Sequence, residues 1–265
     1  MKKSLVISII ALLVAVAALV KDYLPCAKKA AEQNNAPVNV EQILKDHPEY
    51  VINALQAYEV KAREEAEAKL KAKIKENEEA LKADNAPFQG NADAKIVMVE
   101  FFDYACGYCH RLFPEMNQIL AKNSDVKLVL RPLAFVSPHS EYAAKAVLAA
   151  NEQGKFTELH TALFTVQKAL SEELINELAE KAGIDVNKMK EDMKSEKVEA
   201  AFAANNELAQ NIEVGGVPTL ILNSELIQPF SAEIQAKIDA AKKYFLKCNY
   251  KKNRSEFRAI FLFFY

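Results

Sequence analysis

Two cysteines separated by two residues carry the clearest chemistry in this sequence. Cys106 and Cys109 enclose Gly107 and Tyr108, a spacing that suits two thiols that form and break one disulfide. The β-branched and aromatic run Ile96–Phe102 before them predicts a buried strand, and the apolar spacing after them predicts a helix. A helix N-terminus favours negative charge, so we expect Cys106 to be thiolate-rich and nucleophilic. Cys109, one turn along, is placed to resolve a mixed disulfide.

Direct hydrogen bonds must support the Cys106 sulfur, because the helix dipole is too weak to act alone. The dipole contributes about 0.3–1 kcal/mol at a helix end, whereas one pKa unit corresponds to about 1.4 kcal/mol. The backbone N–H groups of Tyr108 and Cys109 are the expected donors to the sulfur. Gly107 leaves the approach to that sulfur open.

Glu100 is the other residue of this stretch that can do chemistry. It lies between Val99 and Phe101, so its carboxyl group is predicted to be buried, which would raise its pKa. A buried acid of this kind can handle the Cys109 proton during thiol exchange. The alternative is an ordinary salt-bridged glutamate, and spacing alone does not separate the two.

The same residues also match a haem site, since Cys106 to His110 spell C-x-x-C-H, the attachment motif of c-type haem. A haem site needs no buried strand before its cysteines, and the chain offers no evident axial methionine in an apolar pocket. A structural zinc site needs a second pair of ligands. The remaining candidate ligands are scattered singly along the chain: Cys26, Cys248, His47, His139 and His160. The setting therefore favours redox chemistry without a metal or cofactor.

Composition limits the classes of protein that this chain can belong to. Its 265 residues suffice for one sizeable domain and a smaller part. The 34 basic and 36 acidic residues are interspersed, which does not indicate a nucleic-acid partner. Four cysteines are too few for a disulfide scaffold, and one close pair with two single residues fits catalytic use.

The first 20 residues predict export. Lys2 and Lys3 precede the apolar run Leu5–Val20, as in a bacterial signal peptide with an A-x-A cleavage site at residues 15–17. The run also suits a short membrane anchor, and cleavage is the favoured interpretation. Cys26 follows a proline, a poor fit to a lipoprotein signal, and is predicted to be an incidental or membrane-proximal thiol.

Residues 21–87 are predicted to form a helical segment that links or oligomerises the protein. From Val38 to Asp84 the chain is rich in Ala, Glu and Lys and has no glycine. The pattern predicts a short helix over Val40–Lys45 and a long one from Pro48 to about Ala83. The long helix carries an apolar stripe near heptad spacing: Leu55, Ala62, Leu70, Ile74 and Leu81. No intramolecular core is evident for this stripe, so we expect it to pack against copies of itself, a solvated linker helix being the alternative.

After the redox helix, the sequence pattern predicts one strand and then mostly helices. A strand is predicted over Val126–Leu130 and ends at Arg131-Pro132. Further helices are predicted at Glu141–Asn151, Phe156–Leu170, Glu172–Ala182 and in two stretches that end near Asn211. Gly215 to Thr219 then leads into a hairpin that turns at Asn223-Ser224. Pro218 cannot donate to a strand ladder and suits a cis bond in a tight turn, an ordinary turn proline being the alternative.

Together these motifs resemble the DsbA-type thioredoxin-fold proteins. The order is strand, Cys-Gly-Tyr-Cys helix, strand, helical insertion, Gly-Val-Pro-Thr, hairpin and final helix. The run Val99–Cys109 is similar to that of the exported ScsC-like and Com1-like subgroup, which has an N-terminal oligomerisation segment. The resemblance implies that Cys106 is the nucleophile, Cys109 the resolving cysteine and Glu100 the buried acid. It also implies that Val217 and Pro218 form a cis-proline loop that faces the sulfur.

The resemblance implies an α/β thioredoxin-like catalytic domain over residues 88–245. Residues 138–212 would form its helical insertion, and the helical N-terminal segment would precede it. Asn223 and Gln228 stand where the family usually has glycines, so the register of the hairpin strands is open. Residues 246–265, which include Cys248, match nothing in the family and stay unassigned.

The expected function is that of an exported, periplasmic or extracytoplasmic thiol-disulfide oxidoreductase. It would form or isomerise disulfides in other exported proteins through a redox-active Cys106–Cys109 disulfide, with Gly107, Tyr108 and His110 in support. A membrane redox partner would reoxidise or reduce the pair, and the enzyme would be a homodimer or homotrimer. The sequence does not fix the direction of the reaction. The alternatives from other classes are a c-type haem electron carrier and a non-enzymatic helical holdase.

Overall fold

The computed structural model describes residues 39–83, 86–230 and 233–245. The chain divides into two compact units, Met1–Arg63 and Glu64–Tyr265. The interpretations of residues 1–20, of Cys26 and Cys248 and of the tail 246–265 lie outside the described residues. Within those residues, no helix has the length and apolar character needed to cross a membrane.

The described part of the first unit consists of helix α1, Val40–Asp46, and the beginning of helix α2, Glu49–Glu76. The Asn39 side chain accepts a hydrogen bond from the Gln42 backbone N–H at 3.1 Å and so caps α1. The large apolar side chains of this unit are exposed: Val40, Ile43, Leu44, Tyr50, Val51, Ile52, Leu55, Tyr58 and Val60. These two helices therefore present apolar surface to solvent.

The second unit is built on a five-stranded mixed sheet. Its strands are β1 (Phe88–Gly90), β2 (Ile96–Phe102), β3 (Val126–Pro132), β4 (Thr219–Leu222) and β5 (Glu225–Ile227). Their spatial order is β1-β3-β2-β4-β5. Strands β2 and β3 are parallel, and the other neighbouring pairs are antiparallel. The predicted α/β architecture is confirmed.

Helices cover both faces of this sheet. Helix α3 is Glu78–Leu81 and the redox helix α4 is Gly107–Lys122. Five helices follow β3 as the predicted insertion: α5 (Ser140–Glu152), α6 (Phe156–Thr165), α7 (Glu172–Lys181), α8 (Val186–Asp192) and α9 (Glu196–Asn211). A last helix, α10, occupies residues 233–245.

The alternation of β2 sends its side chains to two separate cores. Met98 and Phe102 pack with Cys109 and Leu112 of the redox helix on one face. Val99 and Phe101 belong to the core on the other face. Because side chains alternate along a strand, Glu100 lies on the face of the redox helix.

The end of α2 and helix α3 cover the second face, which corrects the prediction that their apolar stripe has no intramolecular partner. Ile74 and Leu81 are each 1% exposed and pack with Val99 and Phe101, and Leu70 lies against the same cluster. The sequence pattern shows the stripe but not the sheet face that it covers. Leu55 and Ala62, the part of the stripe before residue 64, are exposed and have no intramolecular core in the described residues.

Arg131 holds this anchor segment, residues 64–83, to the sheet. Its guanidinium donates to the Asn205 side chain at 3.1 Å and to the backbone carbonyls of Leu81, at 3.2 Å, and of Ala80. These carbonyls end α3, where a cation is favoured. Burial lowers the pKa of Arg131 to about 10. The guanidinium thus joins a strand, α9 and the anchor segment at one buried point.

Several predicted boundaries shift for local reasons. The long helix breaks at Asn77, whose side chain donates to the Lys73 carbonyl at 2.9 Å, so α3 is separate from α2. Strand β3 continues two residues beyond Leu130 and ends at Pro132, which pairs with Phe102. The helix that begins at Phe156 ends at Thr165, five residues before the predicted Leu170.

The sequence does not predict strand β1, because three residues are too few to show an alternating pattern. Gly90 at its end has φ 87°, and a Cβ there would overlap the Val126 carbonyl oxygen. The predicted hairpin is confirmed. Asn223 and Ser224 have φ 47° and 69° and form its two-residue turn, which sets Leu222 opposite Glu225 without a glycine.

Replacement of Ile74 by alanine is expected to destabilise the second unit by about 2–5 kcal/mol, because it leaves a cavity in a packed core. Val136→Ala is the matched control, since Val136 is 53% exposed and should change stability by less than about 0.5 kcal/mol. Urea unfolding followed by circular dichroism measures both. Equal small losses in the two variants would contradict the packing of the anchor segment.

Candidate active site

Cys106 lies at the N-cap of the redox helix and is 6% exposed. Both Cys106 and Cys109 are free thiols in the structure. The Cys106 side chain makes no capping hydrogen bond in this thiol form, and the donation from Tyr108 and Cys109 to a thiolate stays a prediction. A protonated sulfur carries a hydrogen of its own and donates it to the Val217 carbonyl oxygen, at 3.4 Å.

The loop that faces the Cys106 sulfur contains the cis peptide bond predicted between Val217 and Pro218. Pro218 immediately precedes β4, and Thr219 donates from its hydroxyl to the Gly216 carbonyl at 2.7 Å. On the helix side, Gly107 is exposed, and a Cβ there would meet nothing within 4 Å. The sulfur is therefore bordered by a backbone carbonyl on one side and by an open glycine on the other.

Cys109 contrasts with Cys106, because it is completely buried. Burial raises the pKa of the Cys109 thiol strongly, and the nearby Cys106 and Glu100 charges raise it further. A thiol of this kind holds its proton and reacts only with a partner brought to it. The two cysteines thus differ as a pair of attacking and resolving thiols would.

Glu100 is 4% exposed, so the predicted burial is confirmed and no salt bridge of the described residues includes it. Burial raises the pKa of its carboxyl group to about 8. An acid with this pKa exchanges a proton near neutral pH. Its position beneath the redox helix follows from the alternation of β2.

Asp103 fixes the turn that leads into the redox helix. Its buried carboxylate accepts hydrogen bonds from the backbone N–H groups of Ala105, at 2.7 Å, and of Phe135 and Val136, at 2.7 and 2.9 Å. The Ser140 hydroxyl donates to it at 2.8 Å. One carboxylate thus joins the turn before Cys106, the loop after β3 and the start of α5.

His110 links the redox helix to two other backbone segments. Its Nε2 lies 2.7 Å from the Tyr104 carbonyl oxygen, and its Nδ1 lies 3.0 Å from that of Phe164. Carbonyl oxygens only accept, so both bonds form only when both ring nitrogens carry hydrogen. The ring therefore lies between the carbonyl oxygens of the turn before the redox helix and of the end of α6.

Tyr104 and His160 form a buried polar pair behind the redox turn. The Tyr104 hydroxyl lies 2.9 Å from the His160 Nδ1, among the rings of Phe102 and Phe164. Burial lowers the pKa of His160 to about 3, so its ring is neutral. Burial, with a contribution from the Glu100 charge, raises the pKa of Tyr104. The pair therefore holds α6 to the active site without adding charge.

An apolar groove of about 450 Å³ opens beside the cysteines. Its lining includes Tyr108, Val217, Pro218, Leu226 and Phe230. Tyr108 is 61% exposed, and Leu226 is 44% exposed. The groove is the right kind of surface for an extended peptide segment next to Cys106.

The structure brings most of the predicted site residues together and adds others that the sequence did not indicate. Cys106, Cys109, Glu100, Val217 and Pro218 gather around the N-terminus of one helix, as expected from the sequence. Sequence reasoning missed Asp103 and Tyr104 and named His160 without its partner, because Tyr104 and His160 are 56 residues apart and three of the four Asp103 donors lie 32–37 residues away. Within the described residues, no three His, Cys, Asp or Glu side chains group as a metal site requires.

Comparison with known proteins gives a family match over most of the second unit. Residues 97–239 match the family model described as DSBA-like thioredoxin domain. Among curated relatives, Na(+)/H(+) antiporter NhaA 3 of Salinispora tropica is 31% identical over 137 residues, which make up 51% of this chain. The aligned region is 21% of that antiporter, so the chain spans about a fifth of the length of such relatives.

Solved structures give the same fold. A thioredoxin-like oxidoreductase from Silicibacter pomeroyi DSS-3 is 33% identical with a TM-score of 0.59, and the match covers 62% of this chain and 97% of that one. A linker-deletion mutant of Proteus mirabilis ScsC is 25% identical with a TM-score of 0.63, and the match covers 79% and 98% of the two chains. The thioredoxin-like fold and the ScsC-like resemblance predicted from the sequence are confirmed.

Replacement of Glu100 by glutamine is expected to change how stability depends on pH. The pKa of Glu100 is about 8 in the folded protein and exceeds the ordinary value of 4.5 that applies to the unfolded chain. The unfolded chain therefore loses its proton first as pH rises from 4.5, and the folded protein loses stability until pH passes 8. This loss amounts to about 1.4 kcal/mol per pH unit. Glu100→Gln should therefore match the wild type near pH 4 and exceed it in stability near pH 8.

Chemical unfolding of both proteins across this range measures the difference. Glu115→Gln, at an exposed position of the redox helix, is the matched control and should follow the wild type at every pH. A constant difference between Glu100→Gln and wild type would contradict the raised pKa.

Proposed function

The chain belongs to the family of DSBA-like thioredoxin domains, and from this premise we propose that it is an exported enzyme that forms or isomerises disulfides in other exported proteins. The observation that carries the proposal is the pairing of two unlike thiols at one helix N-terminus. Cys106 faces the Val217 carbonyl beside a groove, whereas Cys109 is buried behind it.

In the oxidising direction, a client thiolate attacks the Cys106 sulfur of the Cys106–Cys109 disulfide. Cys109 leaves as a thiolate and takes up a proton. A second client thiolate then attacks the mixed disulfide and displaces Cys106, so two electrons pass from the client to the enzyme. In isomerisation, the Cys106 thiolate attacks a client disulfide, and a different client thiolate later displaces it, with no net electron transfer.

Glu100 is proposed to exchange the proton of Cys109. It lies on the face of β2 that packs against the redox helix, and its charge contributes to the raised pKa of the Cys109 thiol. A carboxyl group with a pKa of about 8 can release and accept a proton at the pH where thiol exchange occurs. Cys109 would therefore leave and return without drawing on bulk water.

Pro218 and the groove are proposed to hold the client. Pro218 has no N–H, so the backbone beside the Cys106 sulfur offers only acceptors at that residue. An extended client segment placed there supplies its own N–H groups and lays alternate side chains into the groove. The supporting observation is the 3.4 Å approach of the sulfur to the Val217 carbonyl.

The haem alternative finds little support in this geometry. Covalent attachment needs both cysteine sulfurs at a surface, but Cys109 is completely buried. The His110 ring has carbonyl partners at 2.7 and 3.0 Å for its two nitrogens. The holdase alternative concerns the exposed apolar helices of the first unit, and activity of a Cys106 variant separates it from the proposed enzyme.

Export, a membrane redox partner and self-association complete the proposal. Residues 1–20 have the composition of an export signal, which would bring the enzyme to its clients outside the cytoplasm. A membrane partner would restore the redox state of the cysteines. Val51, Leu55 and Tyr58 are exposed at helical spacing in the first unit, and a second or third copy of the chain would cover them.

The redox function is tested with Cys26 and Cys248 replaced by serine in every variant. The oxidised enzyme should oxidise a reduced peptide with two cysteines, and the reduced enzyme should help scrambled ribonuclease to regain activity. Cys106→Ala should abolish both activities. Cys109→Ala keeps the attacking thiol but lacks the resolving one, so client mixed disulfides should accumulate and be visible by mass spectrometry. The holdase would be favoured if the protein that lacks only Cys26 and Cys248 showed no redox activity and Cys106→Ala still kept clients from aggregating.

Self-association is tested by light scattering of the mature chain at micromolar concentration. The wild type should be a dimer or trimer, and Leu55→Glu should be a monomer that still transfers disulfides but loses most isomerase activity. Val136→Glu, an equal change at an exposed site of the second unit, should leave the mass unchanged. Substitution is preferable to deletion through Asp84, which would remove Ile74 and Leu81 from a core. A monomeric wild type would contradict both the oligomer and the isomerase preference.

A further inference from the structure

Arg111 forms an aromatic and cationic cluster with Tyr108 and Phe230 at the wall of the groove. Its guanidinium carbon lies 5.7 Å from the centroid of the Tyr108 ring and 5.1 Å from that of Phe230. The two ring centroids are 6.2 Å apart. Both rings line the groove beside the cysteines, so the cluster places a positive charge next to two residues of the groove wall.

The backbone conformation at Phe230 is unusual and belongs to the same cluster. Phe230 has φ 61°, in the left-handed region that a bulky residue rarely adopts. In this conformation, the Phe230 ring contacts both the Arg111 guanidinium and the Tyr108 ring. Strained backbone of this kind is typical of functional sites.

The guanidinium contacts two rings of the groove wall, while Arg111 itself does not line the groove. None of the described residues that line the groove is charged, and none of the ion pairs among the described residues includes Arg111. Arg111 is exposed at the start of the redox helix. The faces of a planar guanidinium stack on aromatic rings, which leaves its N–H edge free for a carboxylate.

We propose that Arg111 selects client segments that carry an acidic side chain next to the reactive cysteine. The proposal rests on the proposed function, because it concerns the client that reacts with Cys106. A client cysteine at the Cys106 sulfur brings its neighbouring residues to the Tyr108 and Phe230 rings. An aspartate or glutamate there completes a charge-assisted hydrogen bond with the guanidinium edge, whereas a lysine is repelled.

The test uses oxidised full-length protein and two matched peptides, each with two cysteines. The peptides differ only in whether glutamate or lysine flanks the first cysteine. Each reaction converts the peptide dithiol to a disulfide and the enzyme disulfide to two thiols, so electrons and protons balance. The protein has no tryptophan, and a tryptophan in the peptide or mass spectrometry follows the reaction. The ratio of the two second-order rate constants cancels changes in folding or reduction potential.

The wild type should prefer the glutamate peptide about two- to fivefold, the range that an exposed ion pair supports. Arg111→Glu should reverse the preference toward the lysine peptide, and Arg111→Gln should abolish it. Lys122→Glu makes the same change of charge at the far end of the same helix and should keep the wild-type ratio.

Equal rates for the two peptides in the wild type would overturn the selection by Arg111 while leaving the oxidoreductase function intact. An unchanged ratio in Arg111→Glu would overturn it as well. If the wild type oxidised neither peptide, the proposed function and the selection would fail together. Raised salt should reduce the preference, since the pair is exposed and screened.

Discussion

The buried carboxylate of Asp103 is the contact on which the active-site geometry depends. It collects four donors from three segments: the turn before Cys106, the loop at Phe135 and Val136, and Ser140 at the start of the helical insertion. Loss of one donor leaves part of a charged group unpaired, which costs about 1–3 kcal/mol or more. The three segments therefore keep their positions together, and the position of the Cys106 sulfur follows from theirs.

The two faces of the sheet in the second unit have different roles: one packs against the redox helix and the other against the anchor segment. Alternation along β2 sends Glu100 to the face of the redox helix and Val99 and Phe101 to the face of the anchor segment. The two central strands each carry a buried ionisable group with a shifted pKa, Glu100 of β2 on the first face and Arg131 of β3 on the second. The acid has a pKa near neutrality and can exchange protons. Arg131 stays charged and donates to the backbone carbonyls of Ala80 and Leu81, so its role is structural.

Local patterns predicted the centre of the active site, because its residues lie on consecutive elements. The buried strand, the two cysteines and the turn at Pro218 each have a signal of a few residues. The pattern did not predict that Ile74 and Leu81 cover the sheet, since an apolar stripe shows that a face is buried but not against what. Tyr104 and His160 meet across 56 residues, and a lone histidine in a helix gives no sign of such a partner. The three residues of β1 are too few to show a period.

Pro114 lies inside the redox helix, two turns from its start. A proline nitrogen cannot donate to the carbonyl of His110, so the backbone ladder of the helix is interrupted there. In mechanical terms, Pro114 is a joint between a short leading section, which carries both cysteines, and a longer trailing section packed on the sheet. The leading section is therefore held to the trailing section by one backbone hydrogen bond fewer than in an uninterrupted helix.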